Sequence, residues 1–169
     1  MDNLKAFRAD KDNFFARHPH SPLTPEQKRH FTGLNYFPEN TSLRLQVDVE
    51  LSSPSQNIVI QTTGGQPQTY QRFGKFKFQV DRQTAELTIY KNSHGYFLPF
   101  VDDLAGKETY SAGRYLELEK LPNGKFLVDF NLAYNPSCAY GRDDFSCPIP
   151  PKENHLPVRI EAGEKKWKD

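Results

Sequence analysis

Residues able to do chemistry crowd into one stretch, Asp129 to Pro157, which reads DFNLAYNPSCAYGRDDFSCPIPPKENHLP. It carries Asp129 and Glu153 as candidate acid/base carboxylates, Asn131, Asn135 and Asn154 as hydrogen-bonding amides, Tyr134 and Tyr140 as phenols, and both cysteines of the chain. Just ahead of it stand Tyr110 and Arg114. Arg114 shares a strand face with Leu116 and Leu118, the face expected to look inward. A guanidinium there must be paired or must line a pocket, because an unpaired buried charge is too costly. Its planar fork suits a carboxylate or phosphate held at two points. The expected ligand contacts are Tyr110, Arg114, Asn131, Tyr134, Asn135, Tyr140 and Asn154. The competing account is an internal ion pair of Arg114 with Glu108, Asp129 or Glu153 that pins the proline-rich loop to a sheet.

Cys138 and Cys147 admit four readings. They close a disulfide loop, supply two of four zinc ligands, provide a thiol nucleophile, or pack as small apolar residues under the loop. Their spacing matches no zinc-finger pattern, and no metal or cofactor is expected. Arg72-Phe73-Gly74-Lys75-Phe76-Lys77-Phe78 interleaves basic and aromatic residues, but on a strand Phe76 and Phe78 face one side and Lys75 and Lys77 the other. That separates stacking rings from phosphate-seeking charges. His18, His20, His30 and His94 are scattered, and neither a phosphate-binding glycine loop nor a nucleophile elbow is present.

The 169 residues, 13% of them aromatic, fit a single domain with one sizeable core. Lysine plus arginine number 22 against 21 acids, so no global field attracts nucleic acid or an anionic membrane. No apolar run reaches membrane-spanning length, and charges interrupt Met1 to Arg17. A cytoplasmic location is expected, where both cysteines stay reduced.

The elements that must position these residues are legible in part. A helical lead-in covers 1–33: an amphipathic helix over 3–17, started by Asp2 or Asn3, with Leu4, Phe7, Lys11 (by its stem), Phe14 and Phe15 on one side. A short second helix follows, capped by Thr24-Pro25-Glu26-Gln27. Over 35–163 the period becomes two, predicting a mainly β domain, an antiparallel barrel or sandwich-like meander. Strands are expected at 43–49, from 58 (after Ser53-Pro54-Ser55), from 70 to 80 with a bulge near Gly74, at 85–89, at 96–100 and at 156–160; Thr63-Gly64-Gly65 and Asp81 to Thr84 are turns. Leu121-Pro122-Asn123-Gly124-Lys125 predicts a three-residue hairpin with Gly124 in the left-handed position, so that paired residue numbers sum to 246. Extended along both strands, that register sets Glu117 opposite Asp129. Residues 164–169 read as a charged tail.

The wording of several segments is recognisable. ETYSAGRYL (Glu108 to Leu116), DFNLAYNPSCAY (Asp129 to Tyr140), CPIPPKEN (Cys147 to Asn154), LPVRIEAGE (Leu156 to Glu164) and SPLTPEQKRHFTGLNYFP (Ser21 to Pro38) resemble the DUF1684 family, bacterial and archaeal proteins of unknown function. The resemblance implies no activity, cofactor or catalytic residue.

Three functional readings follow. The first is binding of a small polar or anionic ligand in a pocket beside the proline-rich 131–157 loop. The second is an enzyme in the same pocket, with Asp129 or Glu153 as acid/base and Arg114 stabilising charge. The third is a structural protein acting through its surface or as a homodimer.

Overall fold

The computed structural model describes residues 3–142 and 144–167. Asp2, one of the two residues expected to start the first helix, lies outside them, as do Lys168 and Asp169 of the tail. Helix α1 spans Asn3–Arg17, so Asn3 is itself helical; α2 spans Pro25–His30. The α2 cap has the predicted form: Thr24 Oγ1 accepts from Gln27 N (3.2 Å), and Gln27 Oε1 accepts from Thr24 N (2.8 Å).

Seven strands follow: β1 Arg44–Val47, β2 Glu50–Ile60, β3 Gln68–Val80, β4 Gln83–Asn92, β5 Gly95–Phe100, β6 Arg114–Lys120 and β7 Phe126–Asp129. They form one antiparallel sheet in the order β1–β7–β6–β5–β4–β3–β2. Only Asp48 and Val49 separate β1 from β2, yet the two strands end opposite sides of that order. The sheet therefore curls into a half-barrel, the barrel-like alternative of the two expected. At the seam a Cβ on Gly74 would lie 2.6 Å from Val49 Cγ1, so only glycine permits the approach. The β3 ladder shifts register between Arg72 and Gly74, where a bulge is expected.

Alternation fills the concave face. Phe76, Phe78, Leu87, Ile89, Leu116 and Val128 join one core, while Lys75 and Lys77 are exposed. The β6–β7 hairpin keeps its predicted register, with Glu119 opposite Leu127 and Lys120 opposite Phe126. Gly124 has φ +85° and its N–H donates to Leu121 O (2.9 Å). The predicted Glu117–Asp129 opposition does not form. Asp129 pairs across to Arg44 of β1, and Glu117 accepts from the Tyr134 hydroxyl. One strand starts earlier than expected and one turn is narrower. Ser53-Pro54-Ser55 lies within β2 as an irregularity in its register, and only Asp81 and Arg82, both at positive φ, turn between β3 and β4.

Residues 156–160 do not form the last strand. Leu156, Val158 and Ile160 are buried and alternate with exposed neighbours, as predicted, but no ladder accompanies them. Pro157 has no N–H to give. The remaining groups bond elsewhere: Asp103 N donates to Val158 O (2.9 Å) and Ile160 N to Asp102 Oδ2 (2.7 Å).

Packing of α1 also departs from the sequence reading. Leu4 and Phe15 are buried, but Phe7 and Phe14 are 44% and 38% exposed. Phe15 belongs to a second cluster with Leu23, Leu34 and Tyr140, so α1 docks on the 134–140 segment and leaves two of its rings at a cleft.

Candidate functional site

Four predicted site residues are committed to holding the fold. Arg114 is 1% exposed. Its Nη1 donates to Ala162 O and Glu164 O (3.1 Å), and its Nη2 to Ile160 O (2.9 Å) and Asp102 Oδ2 (3.3 Å). The 160–164 segment bends at Ala162 and Gly163, where Gly163 has φ +80°, and three of its carbonyls converge on this one guanidinium. Burial pushes the Asp102 carboxyl above its ordinary range and the Arg114 guanidinium below its own, each opposed by its partner. The internal ion pair thus exists, with Asp102 in place of Glu108, Asp129 or Glu153.

Asn154 is fully buried between β4 and β5. The β4–β5 ladder pairs Tyr90 with Phe97; continued by two residues it would pair Thr88 with Pro99. Pro99 has no N–H for that pairing. The Asn154 side chain fills the gap: Nδ2 donates to Thr88 O (2.9 Å) and Pro99 O (2.8 Å), and Oδ1 accepts from Thr88 N (2.8 Å). Asn131 clamps Asn40 in the same manner, accepting from its N–H (2.8 Å) and donating to its carbonyl (2.9 Å). Asp129 accepts from Asn131 N (3.0 Å) and Arg44 Nε (3.1 Å).

Glu153 accepts from the Tyr90 hydroxyl and from Arg72 Nε (3.2 Å), over β4. Asp129, at the end of β7, is held instead by Arg44 and Asn131, and has none of these partners in common with it. The two carboxylates expected as acid/base candidates therefore do not share a site. Tyr110 is half-buried, and its carbonyl accepts from Gly113 N (3.0 Å) in the turn entering β6.

Tyr134, Asn135 and Tyr140 do come together. They line a cleft of about 490 Å³ against α1, walled also by Phe7, Phe14 and Phe15. Lys11 is the single lysine or arginine among the described lining residues. Its ammonium pairs with Glu164 and lies 5.0 Å from the Tyr134 ring centroid. The Lys11 and Glu164 side chains are 18% and 2% exposed. Glu164 Oε2 also accepts from Tyr140 Oη (2.8 Å) and Asn135 N (3.3 Å). Burial, reinforced by Glu164, pushes the Tyr140 phenol well above its ordinary range, so it stays protonated. Asn135 is 4% exposed. Its Nδ2 donates to Lys165 O (3.0 Å), whereas its Oδ1 has no hydrogen-bond partner among the described residues. Glu164, read from sequence as the start of a charged tail, is instead the hub of this cleft. Nothing local in the sequence marks it. Lys11 carried one signal, a charge inside the Phe7–Phe14–Phe15 stripe of α1.

Cys138 and Cys147 are joined in a disulfide, which corrects the expectation of reduced thiols. The bridge ties the 3₁₀ turn Ser137–Tyr140, part of the cleft wall, to a segment bonded to residues 61–63 through Cys147 N to Thr63 Oγ1 (3.0 Å) and Ile149 N to Gln61 O (2.7 Å). By loop-closure entropy a bridge of this span contributes about 2.5–3 kcal/mol. Replacing both cysteines by serine is expected to lower the unfolding free energy by up to that amount in urea titrations; an unchanged midpoint refutes the contribution.

The profile described as "Protein of unknown function (DUF1684)" matches residues 29–165. The chain belongs to the DUF1684 family. The matched span holds all seven strands, the disulfide, the Arg114 clamp and Glu164, while α1 and its Lys11 precede it. Among solved structures the DUF1684 fold recurs in the solution NMR structure of an uncharacterized protein from Haloarcula marismortui. It is 36% identical, with a TM-score of 0.71, covering 96% of this chain and 91% of that one. No curated protein matches.

Proposed function

We propose that this DUF1684 protein binds a small molecule with an apolar body and a polar head in the cleft between α1 and the 134–140 segment. The observation that carries this reading is the lining itself: Phe7, Phe14 and Phe15 wall a cleft opposite Tyr134 and Tyr140, with Lys11 at its edge. Ligand sites commonly combine apolar walls with a few polar groups that fix orientation. Lys11 is the cation available to such a head. In this reading the ligand lies beside the proline-rich stretch, and Arg114 takes no part in holding it.

The disulfide bears on location. Such bridges persist in oxidising compartments, so this one weighs against the cytoplasmic placement expected from sequence. Among the described residues no helix is long and apolar enough to cross a membrane.

Titration calorimetry with cinnamyl alcohol and benzamide as probes tests the cleft. Ser137→Trp, which fills it from a half-buried wall position, is expected to weaken binding at least about tenfold without lowering the melting temperature. Probe binding that ignores this substitution places the ligand elsewhere and overturns the reading.

A further inference from the structure

Resting on that cleft, we infer that its ligand is an apolar aldehyde or ketone, and that Lys11 captures the carbonyl as a protonated imine. The amine lies at the wall of a carbon-lined cleft, and the base needed to take its proton is already bonded to it: Glu164 Oε1 accepts from Lys11 Nζ. The other carboxylate oxygen is held by Tyr140 Oη (2.8 Å) and Asn135 N (3.3 Å), which fixes the orientation of the base. A lysine in apolar surroundings beside a positioned proton acceptor is the general arrangement for amine nucleophiles.

The step balances without an outside reagent. Glu164 takes one proton from the ammonium. The freed amine adds to the carbonyl carbon, and the N–C bond forms as the C=O π pair moves to oxygen. A second proton passes from nitrogen to that oxygen, giving a carbinolamine hydroxyl. The nitrogen lone pair then expels the hydroxyl, which leaves as water with the proton Glu164 held. Ammonium and carbonyl have become protonated imine and water, and Glu164 is again a carboxylate.

The buried ion pair survives this exchange. The imine nitrogen keeps its positive charge and one N–H, so Glu164 and the face of the Tyr134 ring stabilise product as they stabilise the ammonium.

The experiment is reductive trapping. The protein is incubated with equimolar cinnamaldehyde and cyanoborohydride, then analysed by intact mass and peptide mapping. One adduct per chain, at Lys11, is expected; Phe14→Ala, at a partly exposed wall residue, lowers its yield several-fold and Lys11→Arg removes it. Glu164→Gln slows trapping about a hundredfold by removing the base. Adducts spread over Lys5, Lys75 and Lys107 with no preference for Lys11 overturn the proposal. Cinnamyl alcohol separates this failure from failure of the cleft itself. If the alcohol binds and the aldehyde does not label Lys11, imine capture is wrong and the cleft stands; if neither occurs, both are wrong.

Discussion

Arg114→Ala is expected to lose about 3–5 kcal/mol of folding free energy, the cost typical of breaking a buried ion pair by removing one partner. The substitution leaves Asp102 buried without its cation and strips donors from the carbonyls of Ile160, Ala162 and Glu164. For a domain of ordinary stability that is a large share of the total. Urea unfolding followed by circular dichroism checks it: the midpoint falls sharply with the slope unchanged. Because Glu164 leaves the same segment, Arg114→Ala is also expected to loosen the cleft, so reduced ligand binding in this variant reports unfolding rather than a lost contact. Asp102→Asn is the milder companion, since an amide still accepts from Ile160 N while the charge pairing is lost. A midpoint for Arg114→Ala within error of the parent refutes the clamp.

Alkaline pH is expected to unfold the protein cooperatively, starting near pH 10. Tyr90, Tyr115 and Tyr140 are 0%, 6% and 1% exposed, and burial pushes each phenol well above its ordinary range, with Glu153 and Glu164 adding to the effect at Tyr90 and Tyr140. Their contribution is fully present below the unfolded-state pKa of about 10. Above it the unfolded chain binds fewer protons than the native one, so stability falls as pH rises, by about 1.4 kcal/mol per pH unit for each group and about 4 for the three together. Tyrosinate absorbance and circular dichroism should change in one coincident step. Ionisation of these phenols near pH 10 with the fold intact contradicts their burial.

What sequence reasoning recovered is what short-range rules govern. The extent of α1, the Thr24–Gln27 box and the Gly124 hairpin depend on neighbours within a few residues, and period-two alternation sorted Phe76 and Phe78 from Lys75 and Lys77. What it missed depends on partners far along the chain. Arg114 was recognised as a charge in need of a partner, but nothing local in the sequence marks Asp102 as that partner. Asn154 was taken for a ligand contact because nothing local links it to the donor missing at Pro99. Residues 156–160 have the alternation of a strand, and alternation reports burial without saying whether a neighbouring backbone or a guanidinium satisfies the carbonyls. The paired cysteines were misjudged because an inferred compartment outweighed their spacing. Tyr134, Asn135 and Tyr140 were found together because one short segment carries all three.

The curl that brings β1 to β2 has a consequence for the order of folding. Leu45 pairs with Val128, and Lys11 reaches Glu164 across most of the chain. During synthesis the meander from β2 to β6 can assemble hairpin by hairpin, but β1 has no partner until β7 emerges, and α1 cannot close the cleft until residue 164 follows. The first element made is the last to dock. Contacts of such span slow folding, so the rate-limiting event is expected to be the late return of the N-terminal segment onto an otherwise finished sheet.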